Sequence, residues 1–295
     1  MLYGFGTRRI LTCFMEPFVK QAGGKWHQFK DVEGDRYGKT HWYDFNFKDW
    51  LKEEEPGEPV VFGNLRGTAD IIRAAEKNNI NYYYFDHAYM YKAYVHRPDP
   101  VFNKRFYRIT KNGEQLTKFI NWKQSPDLIK RIQNFEKIQK IKINLNLYGK
   151  GSKILILPPT QFICEYHQLG TEDEWIDNTI QEIKKYTDRE IVVRKKPAIG
   201  ETAPISFEEH LKQAFCVVTY QTSAVTEAIR YGIPVFCSEY SCAKPVSKTD
   251  LSQIELPYYP TEEVIRYWIN SLLTAQFTEE EITGGKAKEI IDSTQ

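Results

Sequence analysis

Short apolar runs and amphipathic stretches take turns along most of this 295-residue chain. In its second half "KILIL" (153–157) is a continuous apolar run stopped by Pro158 and Pro159, the mark of a buried strand and a loop. "TEDEWIDNTIQEIKKYT" follows, with acids first, Trp175, Ile176, Ile180 and Ile183 at helical spacing, and lysines last. That order suits the helix dipole. "REIVV" then reads as a strand running into a basic loop, "SFEEHLKQA" as a capped helix and "CVVTY" as a strand. "SAVTEAIRYG" reads as a helix closed by Gly232, "IPVFCSE" as a strand, and "TEEVIRYWINSLLTAQ" and "TEEEITGGKAKEII" as two closing helices. The first half shows the same rhythm: strand "MLYGFG", helix "TRRILTCFMEPFVKQAGG", strand "PVVFGNL", helix "GTADIIRAAEKNN", strand "INYYYFDHAY".

Single strands alternating with helices of these lengths predict right-handed crossovers and parallel, doubly wound sheets. "NLNLYGKGSK" has the Gly, Ser and Lys of a linker and sets a boundary near residue 150. The expected fold class is therefore α/β, with two Rossmann-like domains whose parallel sheets face a central cleft. The expected domains are 1–150 and 151–272, with 273–295 as a C-terminal helix returning to the N-terminal domain.

Composition narrows this picture. With 41% hydrophobic and 27% charged residues the chain reads as a soluble globular protein, and its apolar runs are too short to span a bilayer. "MLYGFGTRRIL" shows no cleavable signal pattern. Five scattered cysteines (Cys13, Cys164, Cys216, Cys237, Cys242) include no C-x-x-C pair, and they read as reduced core thiols in a cytoplasmic protein. The net charge of +1 hides an asymmetry. Residues 91–153 carry 15 Lys and Arg against 4 Asp and Glu, whereas residues 154–295 carry 13 against 22. The basic segment also holds Tyr91, Tyr94, Phe102, Phe106, Tyr107, Phe119 and Trp122, which suits either an anionic partner or a solvated basic face.

Candidate chemistry follows from the fold, because ligands of doubly wound sheets gather at the carboxyl ends of the strands. Those ends carry Thr160, then Arg194 and Lys196, then Gln221, Thr222, Ser223 and Glu227, and, in the first half, Asp86 and His87. Arg8 and Arg9 follow the first strand. The types complement a sugar nucleotide. Hydroxyls, helix-start N–H groups and Arg194 suit a diphosphate, Glu227 suits a ribose diol, and Asp86 suits a general base. Each residue also has a bland explanation. Thr222 and Ser223 cap a helix, Glu227 supports its N-terminus, Arg194 pairs with Asp188 or Glu190, and Asp86 sits in a turn. Matched chemistry at five strand ends favours the ligand. No D-x-D, P-loop, G-x-S-x-G or complete G-x-G-x-x-G occurs, so neither a metal nor a nicotinamide cofactor is expected.

"TSAVTEAIRYGIPVF" resembles the donor-binding segment of GT-B glycosyltransferases, in which a Ser/Thr pair opens a helix, a Glu follows and G-x-P-V starts the next strand. "IVVRKKP" with "TSAVTEA" is similar to the paired motifs of bacterial capsule and sialic-type transferases, with Lys195–Lys196–Pro197 standing where an H-P pair is usual. "YYYFDHAYMYKAY" is similar to the acidic block of capsule Kdo transferases, with His87 and Ala88 in place of Gly and Phe. The resemblance implies a metal-independent transferase that takes a nucleotide sugar as co-substrate. Arg194, Lys196, Gln221, Thr222, Ser223, Glu227 and Thr160 would bind the donor, and Asp86 and His87 would carry the chemistry. Small GT-B enzymes also include phage DNA glucosyltransferases. The basic aromatic segment suits double-stranded DNA carrying hydroxymethylated pyrimidines, contacted by Arg8, Arg9, Tyr91, Lys92, Arg105 and Arg108. DNA is placed slightly ahead of a cell-surface or capsular glycan as acceptor. A UDP-sugar 2-epimerase-like isomerase and a non-catalytic DNA-binding protein are the alternatives.

Overall fold

The computed structural model describes residues 1–6, 9–28, 57–63, 68–90, 106–139, 141–147, 149–197 and 203–295. The chain divides into two units. The first comprises Met1–Glu114, Ile120–Gln139 and Leu273–Gln295, and the second comprises Gln115–Phe119 and Lys140–Leu272. Residues 140–150, assigned to the first domain from the sequence, are thus counted with the second unit.

The first unit is built on a six-stranded sheet. Its elements are β1 (Leu2–Gly6), α1 (Arg9–Gln21), β2 (Lys25–Gln28), β3 (Glu58–Phe62), α2 (Thr68–Lys77), β4 (Tyr83–His87), β5 (Phe106–Lys111) and α3 (Pro126–Gln139). Strands β2, β1, β3 and β4 run parallel in that order, and β5 turns back antiparallel to β4. Aromatic side chains fill the space between α1 and the sheet. Phe18 meets Tyr83 and Phe85 edge-on at 5.5 and 5.1 Å, and Phe14 lies 4.7 Å from Tyr107. Each such ring, taken out of water, contributes roughly 1.5–3 kcal/mol. Gly4 is needed where α1 and β2 close on β1, because a Cβ there would meet Trp26 at 2.4 Å and Val19 at 2.7 Å.

Two expectations fail in this unit. Phe106, Tyr107, Arg108, Ile109 and Thr110 are buried in β5. Phe106–Thr110 of the basic aromatic segment are therefore core strand, not a platform for a partner, whereas Phe119 farther along is exposed. The stretch read as one closing helix is also not continuous. The chain forms a short strand, β10 (Gln276–Thr278), antiparallel to β5 at the sheet edge, before α9 (Glu279–Thr283) and α10 (Lys286–Thr294). Gly285, with φ of 82°, separates those two helices.

The second unit holds a four-stranded, fully parallel sheet in the order β7-β6-β8-β9. Its elements are β6 (Lys153–Leu157), α4 (Gln161–His167), α5 (Glu172–Ile183), β7 (Ile191–Val193), α6 (Phe207–Gln213), β8 (Ala214–Thr219), α7 (Val225–Arg230), β9 (Val235–Phe236) and α8 (Glu262–Thr274). The predicted cap of α6 forms, with the Ser206 hydroxyl accepting from the Glu209 amide at 3.1 Å, and Thr171 and Glu174 close a capping box on α5. Ile154, Ile156, Cys216, Val218 and Phe236 form the core of this sheet. None of the four described cysteines forms a disulfide, and burial pushes the Cys216 thiol up to about 12 and the Cys237 thiol up to about 11. These thiols pack rather than react. No described helix is long and apolar enough to cross a membrane.

Candidate functional site

Strand β6 connects through α4 and α5 to β7 on one side, while its neighbour β8 connects through α7 to β9 on the other. The carboxyl ends of β6 and β8 thus flank a topological switch point, where doubly wound sheets open a crevice. Local bonds hold the loops there. The Thr219 hydroxyl donates to the Leu157 carbonyl at 2.6 Å and ties the two strand ends together. The Ser238 hydroxyl donates to the Tyr220 carbonyl at 2.7 Å, which fixes the turn after β8 against the turn after β9.

Arg194 directly follows β7, and its amide donates to the Ile156 carbonyl at 2.9 Å. The guanidinium lies 5.2 Å from the centre of the Phe207 ring. Its Nε is buried with no hydrogen-bond partner among the described residues. The pairing with Glu190 that would explain Arg194 structurally does not form, since Glu190 takes Lys153 at 2.8 Å. Glu227, on α7, is half-buried, and its side chain makes no hydrogen bond or ion pair among the described residues. Burial pushes its carboxyl above the usual carboxylate range; Glu208 adds to that shift, and Arg230 and Arg194 oppose it. His210 is half-buried, and burial followed by the Arg194 charge pulls its pKa down. An unpaired carboxylate and an unpaired guanidinium that feel each other's charge are an arrangement folding alone does not favour.

The hydroxyls behave differently from expectation. Helix α7 begins at Val225, not at Ser223, and has six residues with Ala224 as its cap residue. Thr222 Oγ accepts from the Ala224 amide at 3.3 Å, and the Ser223 carbonyl accepts from Thr226 Oγ at 2.8 Å. Thr222 and Ser223 therefore shape a turn ahead of the helix, because the preference of Ser and Thr for local backbone bonds wins over helix entry. Thr160 precedes α4 and makes no side-chain capping bond. Lys196 is exposed, and Lys195 is drawn away to Asp173 on α5 at 2.5 Å.

Three rings that pattern reading missed converge at the same strand ends. His167, the last residue of α4, lies 4.9 Å from Tyr220 and 4.7 Å from Tyr240, and the two tyrosines stack at 6.0 Å with a 28° tilt. Gln221 is buried, and its Nε2 sits 3.2 Å from His167 Nε2. The end of α4 and the turns after β8 and β9 supply these residues, so no periodicity along the chain announces them.

In the first unit, Asp86 and His87 end β4. The Asp86 carboxylate pairs with Arg108, its register partner on β5, and accepts from the His87 amide at 2.6 Å. Arg108 also lies 5.1 Å from the Tyr89 ring. Arg108, expected to contact the acceptor from the surface, is instead a buried partner that orients Asp86. The Asp86 side chain keeps 26% of its surface exposed. The His87 ring meets Phe62 edge-on at 5.9 Å. Arg8, Tyr91, Lys92 and Arg105 lie outside the described residues, as does the side chain of Arg9, which opens α1. Among the described residues no group of three or more His, Cys, Asp or Glu is placed to hold a metal ion.

No family model matches the sequence, and no curated protein matches it. Among solved structures, the path of the chain is similar to that of KpsC from Thermosulfurimonas dismutans, a beta Kdo 2,7 transferase. That match has 11% identity and a TM-score of 0.49, and covers 98% of this chain and 99% of that one. The beta Kdo 2,4 transferase of KpsC from the same organism is similar at 12% identity and a TM-score of 0.47, covering 92% and 90%. MnaA of S. aureus with UDP is similar at 14% identity and a TM-score of 0.28, also covering 92% and 90%.

Proposed function

We propose that the protein is a glycosyltransferase that moves a sugar from a nucleotide-sugar donor to a glycan hydroxyl. The observation that carries this reading is the pair formed by Glu227 and Arg194. A half-buried carboxylate without a partner suits two ribose hydroxyls, which donate to it, and a guanidinium with a buried free N–H suits a diphosphate. Thr222, Ser223 and Lys196 line the same strand ends and add hydroxyl and ammonium donors. Asp86 has the role of base. Arg108 and the His87 amide fix its carboxylate, which takes the acceptor hydroxyl proton as that oxygen bonds to the anomeric carbon. The bond from the anomeric carbon to the diphosphate breaks, and the nucleoside diphosphate leaves with its charge met by Arg194. The His87 side chain follows on β4, where its ring packs edge-on against Phe62.

The acceptor reading shifts from DNA to a glycan. DNA was favoured by a basic aromatic surface, and Phe106–Thr110 of that segment are buried in β5, with Arg108 held by Asp86. The test is thermal stabilisation by UDP, CMP, GDP and TDP and their sugar conjugates. One nucleotide is expected to raise the melting temperature of the wild type and to leave Glu227→Ala unmoved. No shift with any nucleotide sinks the reading, and a shift with hydroxymethylated duplex DNA alone reinstates the DNA-binding alternative.

A further inference from the structure

We infer that the rings of His167, Tyr220 and Tyr240 form the seat of the donor's pyranose ring, and so decide which sugar is transferred; this rests on the donor reading above. The order of groups along one short stretch is the first reason. Glu227 suits a ribose, Thr222 and Ser223 precede it with hydroxyls, and Gln221 and Tyr220 precede those. A nucleotide sugar laid along this stretch, ribose to Glu227 and diphosphate to Thr222 and Ser223, brings its sugar to Gln221 and Tyr220. The second reason is the chemistry that waits there. Tyr220 and Tyr240 stack at 28°, and His167 crosses both at 61° and 46°. A pyranose presents one face of axial C–H bonds and a rim of hydroxyls. The C–H face packs on the negative face of an aromatic ring, and the rim needs polar partners beside it. Gln221 and His167 stand beside the rings as that polar pair, 3.2 Å apart across the switch point between β6 and β8.

Third, the cluster is not sealed as a core would be. Tyr240 is 54% exposed although it stacks on a half-buried tyrosine, so one aromatic surface stays open to a ligand. Its backbone is held all the same, because the Tyr240 amide donates to Ser238 Oγ at 3.2 Å and that hydroxyl donates to the Tyr220 carbonyl. A ring that is exposed but fixed in place orders its ligand at little entropic cost.

Calorimetry on the full chain separates the possibilities. Wild type, Tyr240→Ala and Tyr240→Phe are titrated with UDP, GDP and CMP and with UDP-glucose, UDP-N-acetylglucosamine, GDP-mannose and CMP-N-acetylneuraminate. Wild type is expected to bind one sugar nucleotide about five- to tenfold more tightly than its bare nucleotide. Tyr240→Ala is expected to erase that difference while the bare nucleotide keeps its affinity within twofold, and Tyr240→Phe to retain it. Equal weakening of nucleotide and sugar nucleotide in Tyr240→Ala means that the rings hold the base, which overturns the inference and leaves the donor reading standing. So does an unchanged difference, or the absence of any difference in wild type. Failure of wild type to bind any nucleotide removes the donor reading itself, and the inference with it. Because Tyr240 is exposed, its variants are expected to melt within a degree or two of wild type, and that control excludes unfolding as the cause.

Discussion

Glu227 sets binding against stability. Burial raises its carboxyl pKa, so the native state binds that proton more tightly than the unfolded chain does. A folded-state carboxyl pKa above the unfolded one favours the fold at low pH, and that contribution is lost as pH rises from the unfolded value toward the raised one. Glu227→Gln is therefore expected to raise the melting temperature of the ligand-free protein at pH 7–8, with the gain vanishing below about pH 4. The same variant is expected to lose nucleotide stabilisation, since a neutral amide is a poorer acceptor for two hydroxyls. Melting curves across pH, with and without nucleotide, read both effects; a variant no more stable than wild type at pH 8 contradicts the assignment. Asp86 poses a different problem, because it both serves chemistry and neutralises a buried arginine. Asp86→Ala is expected to destabilise the fold by about 3 kcal/mol by stranding Arg108, as breaking a buried pair does. Asp86→Asn keeps an acceptor for Arg108, so it is expected to cost less stability while turnover falls about 10²–10⁴-fold and nucleotide affinity holds. Equal loss of affinity and turnover in Asp86→Asn refutes the role of base.

At the scale of elements, what could be read from the chain was whatever repeats along it. Strands β1, β3, β4, β6 and β8 are buried in parallel sheets and show as bounded apolar runs, and α5 and α6 announce themselves by their caps. Strands β5 and β10 stayed hidden for opposite reasons. "FYRITK" looks basic and aromatic because Arg108 is buried through an ion pair, which no pattern of hydropathy encodes. "QFT" is three residues long and follows an amphipathic helix without a break in composition. The site divides the same way. Arg194 stands directly after an apolar run and Glu227 on the helix that follows the next one, so both were legible, whereas His167, Tyr220 and Tyr240 meet only because the end of α4 and the turns after β8 and β9 come together. Element boundaries also yield a contrast between two substitutions. Gly232 closes α7 at φ of 82°, a conformation that costs a side chain about 1–2 kcal/mol, so Gly232→Ala is expected to lower stability by that amount. It is also expected to weaken nucleotide binding, because β9 and the turn holding Ser238 follow from it. Thr171→Ala, which removes the capping box of α5 far along the chain from Glu227, is expected to lose about 1 kcal/mol and leave binding untouched. Urea unfolding with a nucleotide titration separates the two; equal binding in both variants shows that α7 need not be held by its C-terminal glycine.

For the whole molecule, the division of labour between the units is itself testable. The first unit draws on both ends of the chain, and Arg131 fastens the C-terminal stretch to α3. Its guanidinium holds Glu281 through Nε at 2.5 Å and a second nitrogen at 3.0 Å, donates to the carbonyls of Leu273 and Gln276 at 2.9 and 2.7 Å, and lies against Phe135 and Phe277. A second fastening joins α10 to the sheet, where Tyr83 donates to Asp292 at 2.5 Å and Lys111 pairs with the same carboxylate at 3.0 Å. Arg131→Met keeps the apolar contact with both rings but strands Glu281, a loss expected to reach about 3 kcal/mol. Hydrogen exchange resolved by peptide then distinguishes the two units. The variant is expected to speed exchange in 106–111 and 273–295, whereas nucleotide slows it in 154–240. If the Arg131 variant instead opens 154–240 to the same extent, the two units unfold as one. Nucleotide binding would then stabilise the first unit as well as the second, and melting shifts alone could no longer locate the site.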